Sequence, residues 1–305
     1  MPAQVDLGVQ LGALRLANPV LAASGTFGYG IEFAHLVDLN RLGGFVVKGL
    51  SLAPLNGHPA PRLCETTGGM LNSVGLQNIG VRAFVTEKLP ALRQFRTAVI
   101  VNVFGHSIDE YVEVIRILED AEGLAAYELN ISCPNVKRGG HVFGTDPLLT
   151  SEVVAATRGV SRRPLWVKLS PLVTDITLMA RAAADAGADA LTVANTYPAM
   201  SVDYRTRRSR LGHPTGGLSG PAIKPLTLRL VHQVCQAVRV PVIGLGGIQT
   251  PGDIVEYLIV GATAVQVGTI NFTDPRATYR LIEGLEVLCV EVKTNNINDL
   301  RGTLG

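Results

Sequence analysis

The sequence predicts an α/β fold of the TIM (β/α)8 barrel type. Short apolar runs rich in Val, Ile and Leu recur along the 305 residues, with helical stretches between them. Continuously apolar strands are typical of a parallel sheet that is covered on both faces. Eight such repeats in a chain of this length favour a closed barrel over an open sheet. A doubly wound Rossmann fold is the alternative, and it is disfavoured because no GxGxxG follows the first strand.

Eight apolar runs are the predicted barrel strands. They are residues 20–23, 44–48, 98–103, 126–131, 165–169, 190–194, 242–245 and 264–267. Helices are predicted between them, most clearly at residues 176–186, 221–238 and 253–260. The first of these helices has Asp175 near its start and Gly187 just past its end, which are typical boundary residues.

Three segments exceed what a minimal barrel needs. Residues 7–17 are predicted to form a β-hairpin that caps the bottom of the barrel. Residues 50–80 and 197–220 are predicted insertions after strands two and six, at the carboxyl ends where barrel enzymes build their active sites. Residues 136–147 are a predicted lid. Its expected hinges are Gly139, Gly140 and Gly144.

Composition excludes several functional classes. The chain is 47% hydrophobic and 17% charged, which is enough for a large core. A net charge of +2 argues against nucleic acid or an anionic membrane as partner. No CxxC is present, so no metal site is predicted. Scattered thiols and the lack of a secretion signal or a long apolar run predict a cytoplasmic protein.

Cys133 lies in the run ELNISCPN, residues 128–135, at the end of the fourth predicted strand. Side chains alternate along a strand, so Asn130 and Ser132 point to one side and Cys133 to the other until the chain leaves the sheet. A lone cysteine is usually a small buried hydrophobe. The surrounding polar residues favour chemistry on a planar polar substrate instead. The motif alone leaves both interpretations open.

Polar residues or glycines follow every predicted strand. In chain order they are Ser24, Lys48, Asn102, Asn130 with Cys133, Lys168, Asn195 with Thr196, Gly246 with Gly247, and Gly268 with Thr269. The carboxyl ends of barrel strands share one face, so these groups are expected around one site. Glycines after strands seven and eight are typical of phosphate binding through bare backbone N–H groups.

Lys48 and Lys168 lie in otherwise apolar strands, which disfavours a surface salt bridge for either one. A lysine on a barrel strand can form a Schiff base, as in aldolases. It can also stabilise the negative charge at the N1–C2=O edge of a reduced flavin. The flavin interpretation is favoured by four amide side chains, which suit carbonyl, imide and carboxylate groups. These amides are Asn72, Asn102, Asn130 and Asn195.

Ten short runs together resemble the dihydroorotate dehydrogenases of class 1, and specifically the 1B catalytic subunits. The runs are ASGTFGYG (23–30), VVKGLS (46–51), GMLNSVGLQNIG (69–80), ELNISCPNVKRGG (128–140), FGTDP (143–147), WVKLSP (166–171), TVANT (192–196), GGLSGPAIKP (216–225), GLGGI (244–248) and VGT (267–269). Class 2 members carry a serine where Cys133 stands, together with an N-terminal membrane extension. Class 1A members share the cysteine, so a fumarate-dependent 1A enzyme is the alternative.

The resemblance implies a single FMN-binding TIM-barrel domain over residues 1–305. Lys168 would face the flavin N1 edge, and the paired glycines with Thr269 would bind the phosphate. The implied FMN ligands are Ser24, Lys48, Gly49, Asn102, Asn130, Lys168, Ala194, Gly220, Gly246, Gly247, Gly268 and Thr269. Two positions depart from the family pattern, because Ala194 is smaller and Phe104 larger than expected.

The resemblance also implies oxidation of dihydroorotate to orotate in pyrimidine biosynthesis. The implied substrate contacts are Lys48, Asn72, Ser73, Val74, Gly75, Leu76, Asn130, Asn195 and Thr196. Cys133 would be the base that removes the C5 proton while C6 delivers hydride to the flavin. A thiol with an ordinary pKa near 8.5 can serve if its site lowers that value.

A 1B resemblance implies a different second subunit that carries FAD and a [2Fe–2S] cluster and passes electrons to NAD+. Two catalytic subunits would form the homodimeric core of a heterotetramer. Enzymes similar to dihydropyrimidine dehydrogenase or to tRNA-dihydrouridine synthase are alternatives, although the latter needs a basic RNA-binding face. A Schiff-base aldolase and a non-catalytic scaffold are further alternatives, and the colour of the purified protein separates an aldolase from a flavoprotein.

Overall fold

A computed structural model describes residues 5–132, 137–138 and 141–305. Within these residues, eight parallel strands close into a barrel. The strands, called first to eighth below, are Val20–Ala22, Gly44–Leu50, Ala98–Val103, Ala126–Asn130, Leu165–Lys168, Ala190–Val193, Val242–Leu245 and Ala264–Val267. The eighth strand pairs with the first, with Val265 opposite Val20, and this pairing closes the ring. The predicted TIM barrel is therefore confirmed.

Helices surround the barrel and cover the outer faces of its strands. The α-helices are Val81–Ala83, Leu89–Leu92, Ile108–Glu119, Pro147–Arg158, Ile176–Asp185, Lys224–Ala237, Pro251–Ile259, Ile270–Thr273 and Ala277–Glu291, with a π-helical turn at Phe84–Lys88. Short 3-10 turns lie at Ile31–Phe33, Leu39–Arg41, Phe143–Thr145, Pro221–Ile223 and Ile297–Leu300. The connection from the first strand to the second carries two of these turns in place of the expected α-helix.

The predicted strand and helix boundaries differ from the observed ones by at most three residues. The largest difference is at the helix predicted from residue 221, where the 3-10 turn Pro221–Ile223 precedes the α-helix Lys224–Ala237. The third, seventh and eighth strands match the prediction, and the second extends to Leu50 after an irregularity in its pairing. The helix predicted from residue 253 begins at Pro251, because Thr250 is the N-cap. The Thr250 hydroxyl accepts from the Asp253 N–H and the Asp253 carboxylate accepts from the Thr250 N–H. This capping box fixes the helix start two residues earlier.

The predicted N-terminal hairpin is present as Val9–Leu11 paired with Leu14–Leu16. The turn at Gly12 has a φ of +60° and lies beside the backbone of Asp189, which immediately precedes the sixth strand. Val9, Leu11 and Leu16 are buried. The hairpin therefore covers the amino-terminal end of the barrel, as predicted.

The two predicted insertions combine into one antiparallel sheet above the barrel, called the upper sheet below. Its strand order is Tyr197–Ala199, Gly216–Ser219, Gly69–Asn72 and Leu63–Thr66. Strands from each insertion therefore lie side by side, so the two loops support each other. Two smaller antiparallel pairs join Val202–Asp203 with Arg208–Ser209, and Lys137–Arg138 with His141–Val142.

Apolar side chains from strands and helices form one continuous core. Trp166, Tyr127 and Tyr257 are among its largest fully buried members. Burial of such rings is a major source of stability in cores of this kind. No helix within the described ranges has the length and apolarity that a membrane span requires.

Candidate active site

A cavity of about 450 Å³ opens between the carboxyl ends of the barrel strands and the upper sheet. Every predicted site residue lines it except Cys133, which lies outside the described residues. From the predicted cofactor set these are Ser24, Lys48, Gly49, Asn102, Asn130, Lys168, Ala194, Gly220, Gly246, Gly247, Gly268 and Thr269. From the predicted substrate set they are Lys48, Asn72, Ser73, Val74, Gly75, Leu76, Asn130, Asn195 and Thr196. The structure thus brings together residues that are up to 245 positions apart.

Two lysines place positive charge inside this cavity. Lys168 ends the fifth strand, and its side chain is only 5% exposed. Burial lowers the Lys168 pKa, and the negative charge of Glu128 acts in the opposite direction. Burial, followed by the charges of Lys168 and Arg62, lowers the pKa of Lys48 to about 8. Lys48 is therefore a cation at neutral pH that loses its charge in mildly alkaline solution.

Hydrogen bonds hold the amide side chains of the cavity in place. The Asn130 Oδ1 accepts from Ser132 Oγ at 2.8 Å and from Asn195 Nδ2 at 3.4 Å, and Asn195 Nδ2 also approaches Ser132 Oγ. Thr196 N–H donates to Asn195 Oδ1 at 2.7 Å. These bonds link the ends of the fourth and sixth strands. They leave a row of oriented amides facing the cavity, which suits a planar ligand with carbonyl and N–H groups.

The glycine end of the cavity is shaped by close backbone packing. Gly247 has a φ of +70°, and a Cβ placed there would lie 2.7 Å from the Cβ of Lys224. Tyr257 donates to the Gly246 carbonyl at 2.7 Å and fixes the loop. Lys224 does not provide a free charge here, because its Nζ pairs with Asp253 at 2.5 Å and Glu256 at 2.9 Å. Bare backbone therefore forms this wall, as phosphate binding requires.

His58 was not predicted from the sequence, yet it lines the cavity beside the loop of residues 72–76. Its Nδ1 lies 2.9 Å from Ser73 Oγ, and its backbone N–H donates to the Val74 carbonyl at 3.1 Å. Its ring stacks on His213 of the other insertion, with centroids 4.5 Å apart. This contact could not be predicted from the sequence, because the two histidines are 155 positions apart and follow no known spacing.

The predicted lid at residues 136–147 is described only in part. Of its three predicted glycine hinges, Gly139 and Gly140 lie outside the described residues. Gly144 lies in the 3-10 turn Phe143–Thr145, where an added Cβ would be 2.8 Å from the Ile131 carbonyl oxygen. Close packing against the end of the fourth strand explains a glycine at position 144. Its role as a hinge stays a prediction.

The sequence model of the dihydroorotate dehydrogenase family matches residues 6–288. The chain belongs to the dihydroorotate dehydrogenase family. The family predicted from the ten sequence runs is thereby confirmed, and the barrel and the lined cavity are consistent with it.

Relatives named for two different electron acceptors match the chain over 98% of both lengths. A putative dihydroorotate dehydrogenase A (fumarate) of Solibacter usitatus is 58% identical. Dihydroorotate dehydrogenase B (NAD(+)) catalytic subunits of Geotalea uraniireducens and Trichlorobacter lovleyi are 53% and 54% identical. The family is shared by all three, whereas the electron acceptor differs among them.

The family implies FMN in this cavity, and the described residues fit such a group. Lys168 is a buried cation whose ammonium donates to Ser24 Oγ at a long 3.4 Å, so it has capacity for an anionic ligand edge. The glycine wall at Gly246 and Gly247 has no side chain to obstruct a phosphate. The asparagine side chains and the bare glycine backbone that line this one cavity suit a ligand with a polar ring system and a phosphate tail.

Proposed function

We propose that this chain oxidises (S)-dihydroorotate to orotate in the de novo synthesis of UMP. The observation that carries this proposal is the convergence of two lysines and four asparagines on one cavity in a chain of this family. A pyrimidine-derived ring with two carbonyls and a carboxylate matches these donors and acceptors. When bound, FMN supplies the two-electron acceptor for this oxidation.

The residues of the cavity divide into two proposed groups. FMN would be held by the strand-end residues, with Lys168 at its electron-rich ring edge and Gly246, Gly247 and Thr269 at its phosphate. Dihydroorotate would lie between the amide row and the loop of residues 72–76, where Lys48 would neutralise its carboxylate. The lowered pKa of Lys48, about 8, predicts weaker binding of this anion in alkaline solution.

Cys133 is the proposed base for the C5 proton. It directly follows Ser132, whose hydroxyl donates to Asn130 Oδ1 and so anchors the end of the fourth strand. A strand end that is held in this way favours a defined distance between the thiol and the substrate C5 atom. The closed lid proposed at residues 136–147 would exclude bulk water from the thiolate.

The absorbance spectrum of the pure protein tests the proposed function directly. We expect a yellow protein whose visible flavin bands bleach when dihydroorotate is added without oxygen. Orotate is the matched control, because it has the same ring atoms and carboxylate but already contains the C5=C6 double bond that the oxidation forms. A colourless protein that cannot take up FMN, or a flavin that dihydroorotate leaves oxidised, would contradict the proposal.

The proposed acceptor is a second subunit with FAD and a [2Fe–2S] cluster that passes electrons to NAD+. The NAD(+)-linked catalytic subunits among the relatives support this assignment. The four cysteines of this chain form no cluster-binding motif, and no dinucleotide fingerprint follows the first strand. We further propose a homodimer of this chain at the core of a cytoplasmic heterotetramer.

Steady-state assays with the isolated chain separate the two acceptor classes. We expect dihydroorotate to reduce its flavin, with NAD+ reduction appearing only after the partner subunit is added. Fast NAD+ reduction by the single chain would contradict the partner. Efficient turnover with fumarate alone would assign the chain to the fumarate-dependent class, to which the Solibacter relative is ascribed.

His58→Ala is expected to raise the KM for dihydroorotate by about 2- to 12-fold, with little change in kcat. The variant removes the contact with Ser73 Oγ and the stacking on His213. A net hydrogen bond is worth about 0.5–1.5 kcal/mol, which gives this range. His35→Ala is the control, because His35 is exposed and does not line the cavity. An unchanged KM, or a loss of bound FMN of similar size, would count against this role.

A further inference from the structure

Glu128 is a carboxylate in the interior of the barrel that none of the proposed roles uses. It lies in the middle of the fourth strand and is fully buried, with 0% exposure. In register it lies opposite Asn102 of the third strand and Trp166 of the fifth. It does not line the cavity, so its carboxylate lies behind the ligand-facing side chains.

Three donors from three other strands converge on this carboxylate. Asn102 Nδ2 donates to Oε1 at 2.8 Å, and Thr192 Oγ1 donates to Oε2 at 2.8 Å. Gln266 Nε2 donates to Oε2 as well. A buried carboxylate needs hydrogen-bond donors to hold its negative charge, and these three side chains provide them. The Glu128 carboxylate therefore joins the fourth strand to the third, sixth and eighth strands through hydrogen bonds inside the barrel.

The positive counterpart of this charge is Lys168. Lys168 pairs in register with Asn130, two residues beyond Glu128, so the Glu128 and Lys168 side chains lie on the same inward face of neighbouring strands. The Lys168 ammonium is directed to Ser24 Oγ at 3.4 Å rather than into a contact ion pair with Glu128. The charged groups that act on this end of the barrel are Glu128 on the fourth strand and Lys48 on the second, with Arg62 acting on Lys48 from the neighbouring loop. Lys48 and Lys168 repel each other because both carry positive charge at one cavity. The negative charge of Glu128 offsets part of this repulsion.

We propose that Glu128 is a positioning residue that supplies the buried counter-charge of Lys168 and aims the Asn102 amide at the cofactor. This inference rests on the proposed binding of FMN for its effect on the reaction. The pairing of Glu128 with Lys168 is a property of the protein alone and can be tested without any ligand.

Glu128→Gln changes the charge balance in a way that depends on pH. At low pH the variant retains the Lys168 cation without its counter-charge, so anionic reduced FMN is held more tightly relative to oxidised FMN than in the wild type. As the pH rises, Lys168 loses its proton earlier than in the wild type, because the charge that raised its pKa has gone. The tighter binding of reduced relative to oxidised FMN by the variant then disappears or reverses.

The measurement is the ratio of FMN dissociation constants for the oxidised and reduced states across the pH range. At the low-pH end, Glu128→Gln is expected to raise this ratio about tenfold, equivalent to about 30 mV in the two-electron potential. Thr192→Val is the matched control, because it removes one hydrogen bond to Glu128 and leaves both charges in place. In Thr192→Val the ratio should differ from wild type by an amount that does not change with pH. The same pH-independent difference in Glu128→Gln would overturn the charge role.

Unfolding of the apoprotein provides a test that is independent of the reaction. Glu128→Gln and Lys168→Met each leave one buried charge without its counterpart, whereas the double variant removes both charges. We expect the double variant to melt above the temperature predicted from the sum of the two single losses. If Glu128→Gln alone fails to fold, recovery of a folded double variant gives the same answer. Additive losses in the double variant would overturn the pairing even if dihydroorotate oxidation is confirmed.

Discussion

Cys133→Ser is expected to slow reduction of the flavin by dihydroorotate by roughly 10²- to 10⁴-fold near neutral pH, the range typical of a lost general base. A serine hydroxyl holds its proton far more strongly than a thiol, so it cannot accept the C5 proton at this pH. The volume of the side chain changes little. FMN binding should therefore remain at the wild-type level while the chemical step slows.

Anaerobic stopped-flow bleaching of the flavin measures this step without any electron acceptor. The rate of Cys133→Ser should recover in part as the pH is raised, because hydroxide or an ionised hydroxyl then replaces the thiolate. Cys64→Ser is the matched control, since Cys64 is a free cysteine of the upper sheet that does not line the cavity. Wild-type bleaching by Cys133→Ser at pH 7 would remove Cys133 from the role of base.

The sequence predicted the barrel and the cavity residues because both follow from local pattern. Apolar runs such as Ala98–Val103 are buried on both faces, and their boundaries appear directly in the sequence. The polar residue at each carboxyl end then reaches the cavity through the geometry common to all barrels. Lys48 and Lys168 could be assigned to one site in this way without any knowledge of tertiary contacts.

Features that depend on contacts between distant segments could not be predicted in the same way. The upper sheet pairs Gly69–Asn72 with Gly216–Ser219. Neither strand has the alternation of apolar and polar residues that predicts a half-buried β-strand. Glu128 belongs to the Cys133 run in the sequence, although its three hydrogen-bond donors lie on other strands. A buried carboxylate in an apolar run is itself a signal, because such a charge requires partners. That signal indicates a polar network but not which residues compose it.

Lys168→Ala is expected to weaken FMN binding by about 10- to 150-fold. A hydrogen bond to a charged group is worth about 1.5–3 kcal/mol, and this range of energies gives that range of affinities. Lys168 is the cation at the base of the cavity, and its only described hydrogen bond is the long one to Ser24 Oγ. Removing it deprives the anionic ring edge of its partner, so the reduced cofactor should lose more affinity than the oxidised one.

Equilibrium titration of the apoprotein with FMN, in the oxidised and the reduced state, measures both effects. The flavin potential of Lys168→Ala should fall relative to wild type, and dihydroorotate should then bleach a smaller fraction of the flavin at equilibrium. Lys88→Ala is the control, because Lys88 pairs with Glu32 away from the cavity and should leave both affinities unchanged. An equal loss of FMN affinity in the two redox states would mean that Lys168 contributes only packing. Unchanged FMN affinity in both states would exclude Lys168 from the cofactor site.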